Sequence, residues 1–172
     1  MIHYLAYGSN LHPRRLAERA ASARLVATME LPGYRLVFAK RGQDGSAKCT
    51  LAQAAGHHAH VAVYRMAARE LPGLDAAEGL GAGYEHGEIA VRLQGVTIRS
   101  LTYLAMASHY DERLRPFHWY KALVLCGARY HGFPPAYLEA LAGVPSIDDP
   151  DAHRADRHGA LLGRLVRWPH PG

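Results

Sequence analysis

The chain has 172 residues, of which 49% are hydrophobic, and its formal net charge at pH 7 is +5. These values fit one domain that buries a sizeable core. No apolar run approaches the roughly 20 residues of a membrane helix, and the first residues lack the features of a signal peptide, so we expect a cytoplasmic protein with no membrane partner.

The basic residues do not form the cluster that nucleic-acid binding requires. Arginines are spread from Arg14 to Arg167 with acidic residues between them, so we expect no nucleic-acid partner. His57, His58 and His60 are close enough in sequence to share a metal ion, but no recognised ligand spacing accompanies them, and we expect no metal. The two cysteines are too few for a disulfide framework. These features leave the oligomeric state open.

The N-terminal pattern predicts a strand, a tight loop and the start of a helix. Residues 2–7 are almost all apolar or aromatic, and a proline at position 13 suits the first turn of a helix. The loop between them, residues 7–11, is Tyr-Gly-Ser-Asn-Leu. Because glycine permits close backbone approach and free N–H groups attract negative oxygens, we expect this loop to bind an anionic group. Ser9 and Asn10 are equally suited to cap the helix.

The middle of the chain has the alternating pattern of antiparallel strands. The predicted strands cover residues 24–31, 34–39, 49–54, 58–66, 84–93 and 96–105. Pro32-Gly33 and Gln94-Gly95 predict the turns of two hairpins. Residues 40–48 are rich in turn-forming side chains and predict a loop.

Helical spacing returns in three places. A short helix is expected from about Pro72, with Gly79 as its terminator, because a proline is tolerated only near a helix start. A second helix is expected from about Pro116, and a third from Pro134. In the remainder we expect at most a short ordered piece around residues 161–168.

Several motifs together carry a family resemblance. They are the Tyr-Gly-Ser-Asn-Leu loop, Leu-Asp-Ala-Ala-Glu-Gly at residues 74–79, Tyr-Leu at 103–104, and a spaced set of aromatic, glycine and proline residues over 120–141. In order and spacing they resemble the γ-glutamylcyclotransferase family over residues 2–142. Phe133 stands where that family pattern predicts a leucine. We therefore predict a γ-glutamylcyclotransferase-like domain over residues 1–143 and a partly ordered C-terminal tail over 144–172.

The resemblance implies a fold and an activity. The implied fold is an α+β fold, a small mixed β-barrel with flanking helices. The implied enzyme acts on a small-molecule γ-glutamyl substrate without a cofactor, in a cyclisation of the acyltransferase or lyase type that releases 5-oxoproline and a free amine. Glu78 matches the family's catalytic glutamate. The implied substrate-binding residues are Tyr7, Gly8, Ser9, Asn10 and Leu11 in the loop, with Tyr84, Tyr103 and Tyr120.

The residues themselves are compatible with this chemistry. Glu78 follows Asp75 by one helical turn at the negative end of a predicted helix, and both features favour proton uptake by a shuttling carboxylate. Ser9 lacks the sequence context of a nucleophile. The tyrosines are suited either to line a pocket or to fill the core. The loop is suited to bind either the α-carboxylate or the oxyanion of a glutamyl group. A catalytically silent protein that binds glutamyl compounds is the alternative function.

Overall fold

A computed structural model describes residues 1–168, which form a five-stranded mixed sheet with flanking helices. The strands are β1 (Ile2–Ala6), β2 (Arg24–Arg41), β3 (Ala47–Met66), β4 (Tyr84–Leu93) and β5 (Val96–Ala105). The helices are α1 (Pro13–Ala17), α2 (Leu71–Glu78), α3 (His118–Tyr130), α4 (Pro135–Gly143) and α5 (Ala152–Val166), with single 3-10 turns at Ala68–Glu70 and Ala107–His109. The α+β class is confirmed. The word barrel is too strong, because the sheet order β2-β3-β1-β5-β4 leaves β2 and β4 as separate edges.

Strand β1 is the centre of the sheet and positions the loop that follows it. It pairs antiparallel with β3, where Tyr4 lies opposite Tyr64, and parallel with β5, where Tyr4 lies opposite Leu101. Leu5 at its centre is fully buried. A loop at the end of a strand covered on both sides starts from a rigid support.

The two predicted hairpins have different outcomes. The turn at Gln94-Gly95 is confirmed, and both residues have the positive φ that a tight hairpin turn requires. The prediction of a turn at Pro32-Gly33 is wrong, because β2 continues through these residues as one strand paired with β3. The register shifts at this point, since Pro32 pairs with His58 and Tyr34 with Gln53. Residues 54–57 of β3 are therefore unpaired, and the irregularity is a bulge in the ladder and not a chain reversal. As an edge strand, β2 tolerates the proline.

The helix that carries the candidate glutamate has the expected ends. Helix α2 has Pro72 in its first turn, and Gly79 terminates it in the left-handed conformation at φ 72°. Glu78 is therefore its last residue. Helices α3 and α4 are also confirmed.

The C-terminal segment is more ordered than the sequence indicates. Helix α5 begins at Ala152, where the Asp151 carboxylate accepts a hydrogen bond from the Arg154 amide at 3.0 Å. Leu161 and Leu165 on its buried face pack against Leu123 of α3. The division of the chain after residue 143 stays a prediction, and residues 169–172 of the tail lie outside the described part. Within residues 1–168, no helix has the length and apolar character to span a bilayer.

Candidate active site

Two neighbouring cavities lie where β1 ends. The inner recess has a volume of about 20 Å³, and the outer cavity has a volume of about 460 Å³. They share Ser9, Glu78, Tyr84 and Tyr120 as lining residues. The full lining of the inner recess is Tyr4, Tyr7, Gly8, Ser9, Asn10, Cys49, Glu78, Tyr84, Tyr103 and Tyr120.

The structure brings almost all the predicted site residues to this recess. Leu11 is the exception, because it is fully buried and its amide donates to the Gly8 carbonyl at 3.0 Å. Its side chain packs against Gly127 of α3, where an added Cβ would lie only 2.5 Å from the Leu11 Cβ. Leu11 therefore anchors the loop to the core instead of lining the cavity.

Glu78 reaches the recess from the C-terminal end of α2. Its side chain is only 15% exposed. One carboxylate oxygen accepts a hydrogen bond from the Asn10 amide group at 2.9 Å and also contacts the Arg19 guanidinium. A carboxylate held by two donors in a partly dry site has a defined position.

Asn10 connects this pair to the end of β1. Its side-chain oxygen accepts from Arg19 at 2.9 Å, and its amino group donates to Glu78 and, at 3.0 Å, to the Tyr4 hydroxyl. Because a guanidinium only donates, the Asn10 oxygen must face Arg19 and its amino group must face the carboxylate. Asn10 thus acts within the site. The cap of α1 is His12, whose ring nitrogen accepts from the Arg14 amide at 3.2 Å.

The loop presents backbone donors to the recess. Among residues 1–168 no acceptor faces the amides of Gly8, Ser9 or Asn10. Gly8 is needed for close packing, since an added Cβ would lie 3.1 Å from the Cys49 Cβ. Three neighbouring N–H groups without partners in the described residues are chemically suited to bind a negative oxygen.

The tyrosines differ in whether their hydroxyl proton is free. Tyr7 donates to the Tyr103 carbonyl, Tyr84 donates to the Cys49 carbonyl, and Tyr103 donates to the Asp75 carboxylate at 2.6 Å. The rings of these three tyrosines line the recess, and their hydroxyl protons are already used in hydrogen bonds within the protein.

Tyr120 and Tyr4 retain a hydroxyl donor. The Tyr120 hydroxyl accepts from the Cys49 amide at 3.0 Å, and the Tyr4 hydroxyl accepts from Asn10. Within the described residues the Tyr4 hydroxyl has no acceptor of its own, and the Tyr120 hydroxyl has only the weakly accepting Cys49 sulfur. Burial raises the pKa of both hydroxyls above the ordinary tyrosine value, so both stay protonated at neutral pH.

Sequence reasoning missed several residues of the site. Tyr4 and Cys49 line the inner recess, and Arg15, Arg19 and Lys40 line the outer cavity. Tyr4 carried a weak signal in the sequence. It is an aromatic residue on the strand that leads into the loop, and it shares a face of that strand with Ala6, the residue before Tyr7. Nothing in the local sequence separates Arg15 or Arg19 from other surface arginines.

The histidines considered for a metal lie elsewhere. The His60 ring packs against Phe133 and Tyr137, with ring centroids 5.3 and 4.6 Å away. Its nitrogen is 3.8 Å from a Glu30 oxygen. Residues 1–168 contain no group of three or more side chains that could hold a metal ion.

The fold and the recess define an α+β domain with a cavity of small-molecule size, a partly buried carboxylate and a set of backbone donors without partners in residues 1–168. The AIG2-like family model matches residues 58–141. Human γ-glutamylcyclotransferase is 31% identical over 152 residues, 84% of this chain and 79% of that protein. The mouse γ-glutamylcyclotransferase is 32% identical over 82% of this chain and 77% of its own length.

A solved structure agrees with the sequence relatives. A γ-glutamyl cyclotransferase superposes with a TM-score of 0.78 at 27% identity, over 92% of this chain and 98% of that one. The chain therefore belongs to the γ-glutamylcyclotransferase family and is a γ-glutamylcyclotransferase-like enzyme.

Proposed function

We propose that the enzyme converts a γ-glutamyl amine or γ-glutamyl amino acid to 5-oxoproline and a free amine, with Glu78 as general acid and base. The α-amino group of the substrate attacks its own γ-carbonyl carbon. A C–N bond forms within the glutamyl group, and the C–N bond to the departing amine breaks. Holding the glutamyl group in the attacking shape is worth about 7–11 kcal/mol in well-oriented intramolecular reactions.

The Arg19–Glu78 pair complements the glutamyl group, which carries one positive and one negative charge. When the α-ammonium approaches Glu78, the α-carboxylate takes the place of Glu78 as the partner of Arg19. Both charges of the substrate and both charges of the protein then remain paired. Asn10, hydrogen-bonded to both side chains, keeps them in place during the exchange.

Glu78 moves the proton. Its carboxylate removes one proton from the α-ammonium, which makes the nitrogen a nucleophile, and the resulting carboxylic acid gives that proton to the departing nitrogen. As the C–N bond to the departing amine breaks, the regenerated carboxylate takes the second proton from the attacking nitrogen, which becomes the lactam N–H. That proton then passes to the released amine, which leaves as an ammonium. Proton transfer by a positioned side chain typically contributes about 10²–10⁴ in rate. The shared position of Glu78 between the two cavities supports this role, because the reacting carbon must lie at that junction.

The inner recess binds the oxyanion that forms on the γ-carbonyl oxygen. Its volume of about 20 Å³ has room for one water-sized group, which suits a single oxygen. The amides of residues 8–10 and the Tyr120 hydroxyl are the donors. One donor of this kind is commonly worth about 3–4 kcal/mol in the transition state.

The observation that supports the proposal is the contact between Glu78 and Asn10 of the loop after β1, because proton transfer by Glu78 requires its carboxylate to lie close to the group that binds the oxyanion. The test incubates the purified protein with a panel of γ-glutamyl compounds and measures 5-oxoproline. We expect product from the native protein and at least a 10³-fold loss in Glu78→Gln, consistent with the loss of acid–base catalysis.

Glu85→Gln is the matched control, because Glu85 is an exposed glutamate on β4 and its loss leaves the site intact. Circular dichroism checks that both variants fold. Full activity in Glu78→Gln refutes the proposal. Binding of glutamyl compounds by the native protein without any product supports the silent binding protein instead.

A further inference from the structure

The outer cavity has an excess of positive charge. Its lining includes the basic side chains of Arg15, Arg19, Lys40, Lys48 and Arg154. The acidic residues in that lining are Asp44 and Glu78.

Three of the five basic groups are paired with carboxylates. Arg19 contacts Glu78, and Lys48 lies 2.7 Å from an Asp44 oxygen. Arg154 binds the Asp149 carboxylate with its Nε at 2.7 Å. These pairs are internally neutral.

Arg15 has no such partner among residues 1–168. It is 7% exposed, and its buried Nε has no hydrogen-bond partner within the described residues. The same part of the chain contains no carboxylate in ion-pair contact with its guanidinium. Burial, and next the charge of Arg19, lowers the pKa of Arg15 to about 10, so the group is still charged at neutral pH. A buried charge without a partner is costly unless a ligand supplies one.

Lys40 is the second unpaired cation. It is 3% exposed, and within the described part of the chain its ammonium contacts one neutral acceptor, the Ala82 carbonyl at 3.3 Å, and the face of the Tyr84 ring at 4.5 Å. Gly83 makes room for it, since an added Cβ would lie 2.7 Å from the Lys40 side chain. The chain therefore holds two desolvated positive groups on the wall of one cavity.

We propose that Arg15 and Lys40 form an anion-binding subsite that holds a carboxylate or phosphate group on the amine half of the substrate. This inference rests on the proposed function. The glutamyl half brings one charge of each sign, which Arg19 and Glu78 already match. Neither Arg15 nor Lys40 lines the inner recess, where the carbonyl oxygen binds. The remaining positive charge therefore faces the part of the substrate beyond the breaking bond.

Helix α5 contributes part of the wall of the outer cavity. His158 stacks on Trp119 with ring centroids 3.7 Å apart and planes at 11°, and both residues line the outer cavity. Arg154 is the other lining residue from α5. Helix α5 lies beyond residues 58–141, which match the AIG2-like family model. We assign the wall around the amine half in part to this segment.

The experiment compares two substrates that differ in one charge. γ-Glutamyl-alanine carries a carboxylate on its amine half, and γ-glutamyl-alaninamide has nearly the same shape without that charge. We expect the native enzyme to favour the acid by about 10- to 100-fold in kcat/KM, the range for a hydrogen-bonded charge. Arg15→Gln should lose a similar factor on the acid and less than about threefold on the amide. Lys40→Met should behave in the same way.

The design separates this subsite from a role in binding the glutamyl half. If Arg15 bound the α-carboxylate, Arg15→Gln would lose the same factor on both substrates, and that result overturns the proposal. Arg14→Gln is the control, because Arg14 lies on the same helix outside the cavity lining. A matched 1-aminoethylphosphonate conjugate distinguishes the anion: faster turnover than the alanine conjugate indicates a phosphate-type group, and slower turnover indicates a carboxylate.

Failure of the proposed function is recognisable separately. If no compound yields 5-oxoproline, the same substrate pair is compared by thermal unfolding of the native protein and Arg15→Gln. Stabilisation by the acid alone, lost in Arg15→Gln, supports the subsite without catalysis. Equal shifts with both compounds, or no shift with either, overturn it.

Discussion

Asn10→Asp tests the hydrogen-bond network that positions Glu78. The substitution keeps the shape of the side chain and its oxygen facing Arg19, but it replaces the amino group that donates to Glu78 by a second carboxylate oxygen. The hydrogen bond to the Tyr4 hydroxyl must reverse in the variant, with the hydroxyl as donor to the new carboxylate. Asn10 is 3% exposed, so water cannot easily take over these contacts.

The magnitude follows from the geometry. At the 2.9 Å between the Asn10 nitrogen and the Glu78 oxygen, two unit charges repel by about 6 kcal/mol at an effective dielectric constant of 20. The pair avoids this by binding a proton. At pH 7 that costs about 4 kcal/mol, since an ordinary carboxyl has a pKa of about 4 and each pH unit corresponds to about 1.4 kcal/mol. Arg19, in contact with both groups, lowers the expected loss of stability to about 2–3 kcal/mol.

The loss should depend on pH in a definite direction. A carboxyl group whose pKa is raised in the folded state destabilises that state most at high pH. The loss of folding free energy disappears as the pH falls toward about 4, the pKa of the group in the unfolded chain. Urea unfolding of the native protein and the variant from pH 8 to pH 5 measures this difference. Gln53→Glu is the control, because it makes the same chemical change at an exposed position of β3. A variant as stable as the native protein at pH 8, or a difference that grows on acidification, refutes the network.

Three further predictions concern single side chains. Gly8→Ala should destabilise the protein by about 1–3 kcal/mol and reduce its activity, because the added Cβ would lie 3.1 Å from the Cys49 Cβ. Denaturant unfolding and the 5-oxoproline assay check this. Gly159→Ala is the control and should be neutral or stabilising, because no atom lies within 4 Å of its added Cβ. Arg15→Met should raise the free energy of unfolding without ligand by about 1–3 kcal/mol, because it removes an uncompensated buried charge; an equal or lower melting temperature contradicts the absence of a partner. Burial lowers the pKa of His158 to about 4, whereas a histidine in the unfolded chain has a pKa near 6.5. The unfolded chain therefore takes up the proton first on acidification, and the free energy of unfolding should fall between pH 6.5 and 4. Melting temperatures of the native protein and His158→Phe measured across this range check this, and an equal fall in both contradicts it.

The sequence by itself determined the features that depend on neighbouring residues. The hairpin at Gln94-Gly95 follows from two residues that accept positive φ. The ends of α2 follow from Pro72 and Gly79, which restrict a helix wherever they occur. Local rules of this kind act over a few residues and need no knowledge of the rest of the fold.

Tertiary structure decided how distant residues meet. Glu78 contacts Asn10 across 68 positions and Arg19 across 59, and no spacing rule covers such distances. The turn predicted at Pro32-Gly33 gave way to a continuous strand, because pairing along β3 outweighs a local turn preference. Helix α5 is ordered because its buried leucines meet α3. Arg15 is one arginine among many in the sequence, and only packing removes it from water and turns it toward a cavity, where its charge lacks a partner within residues 1–168.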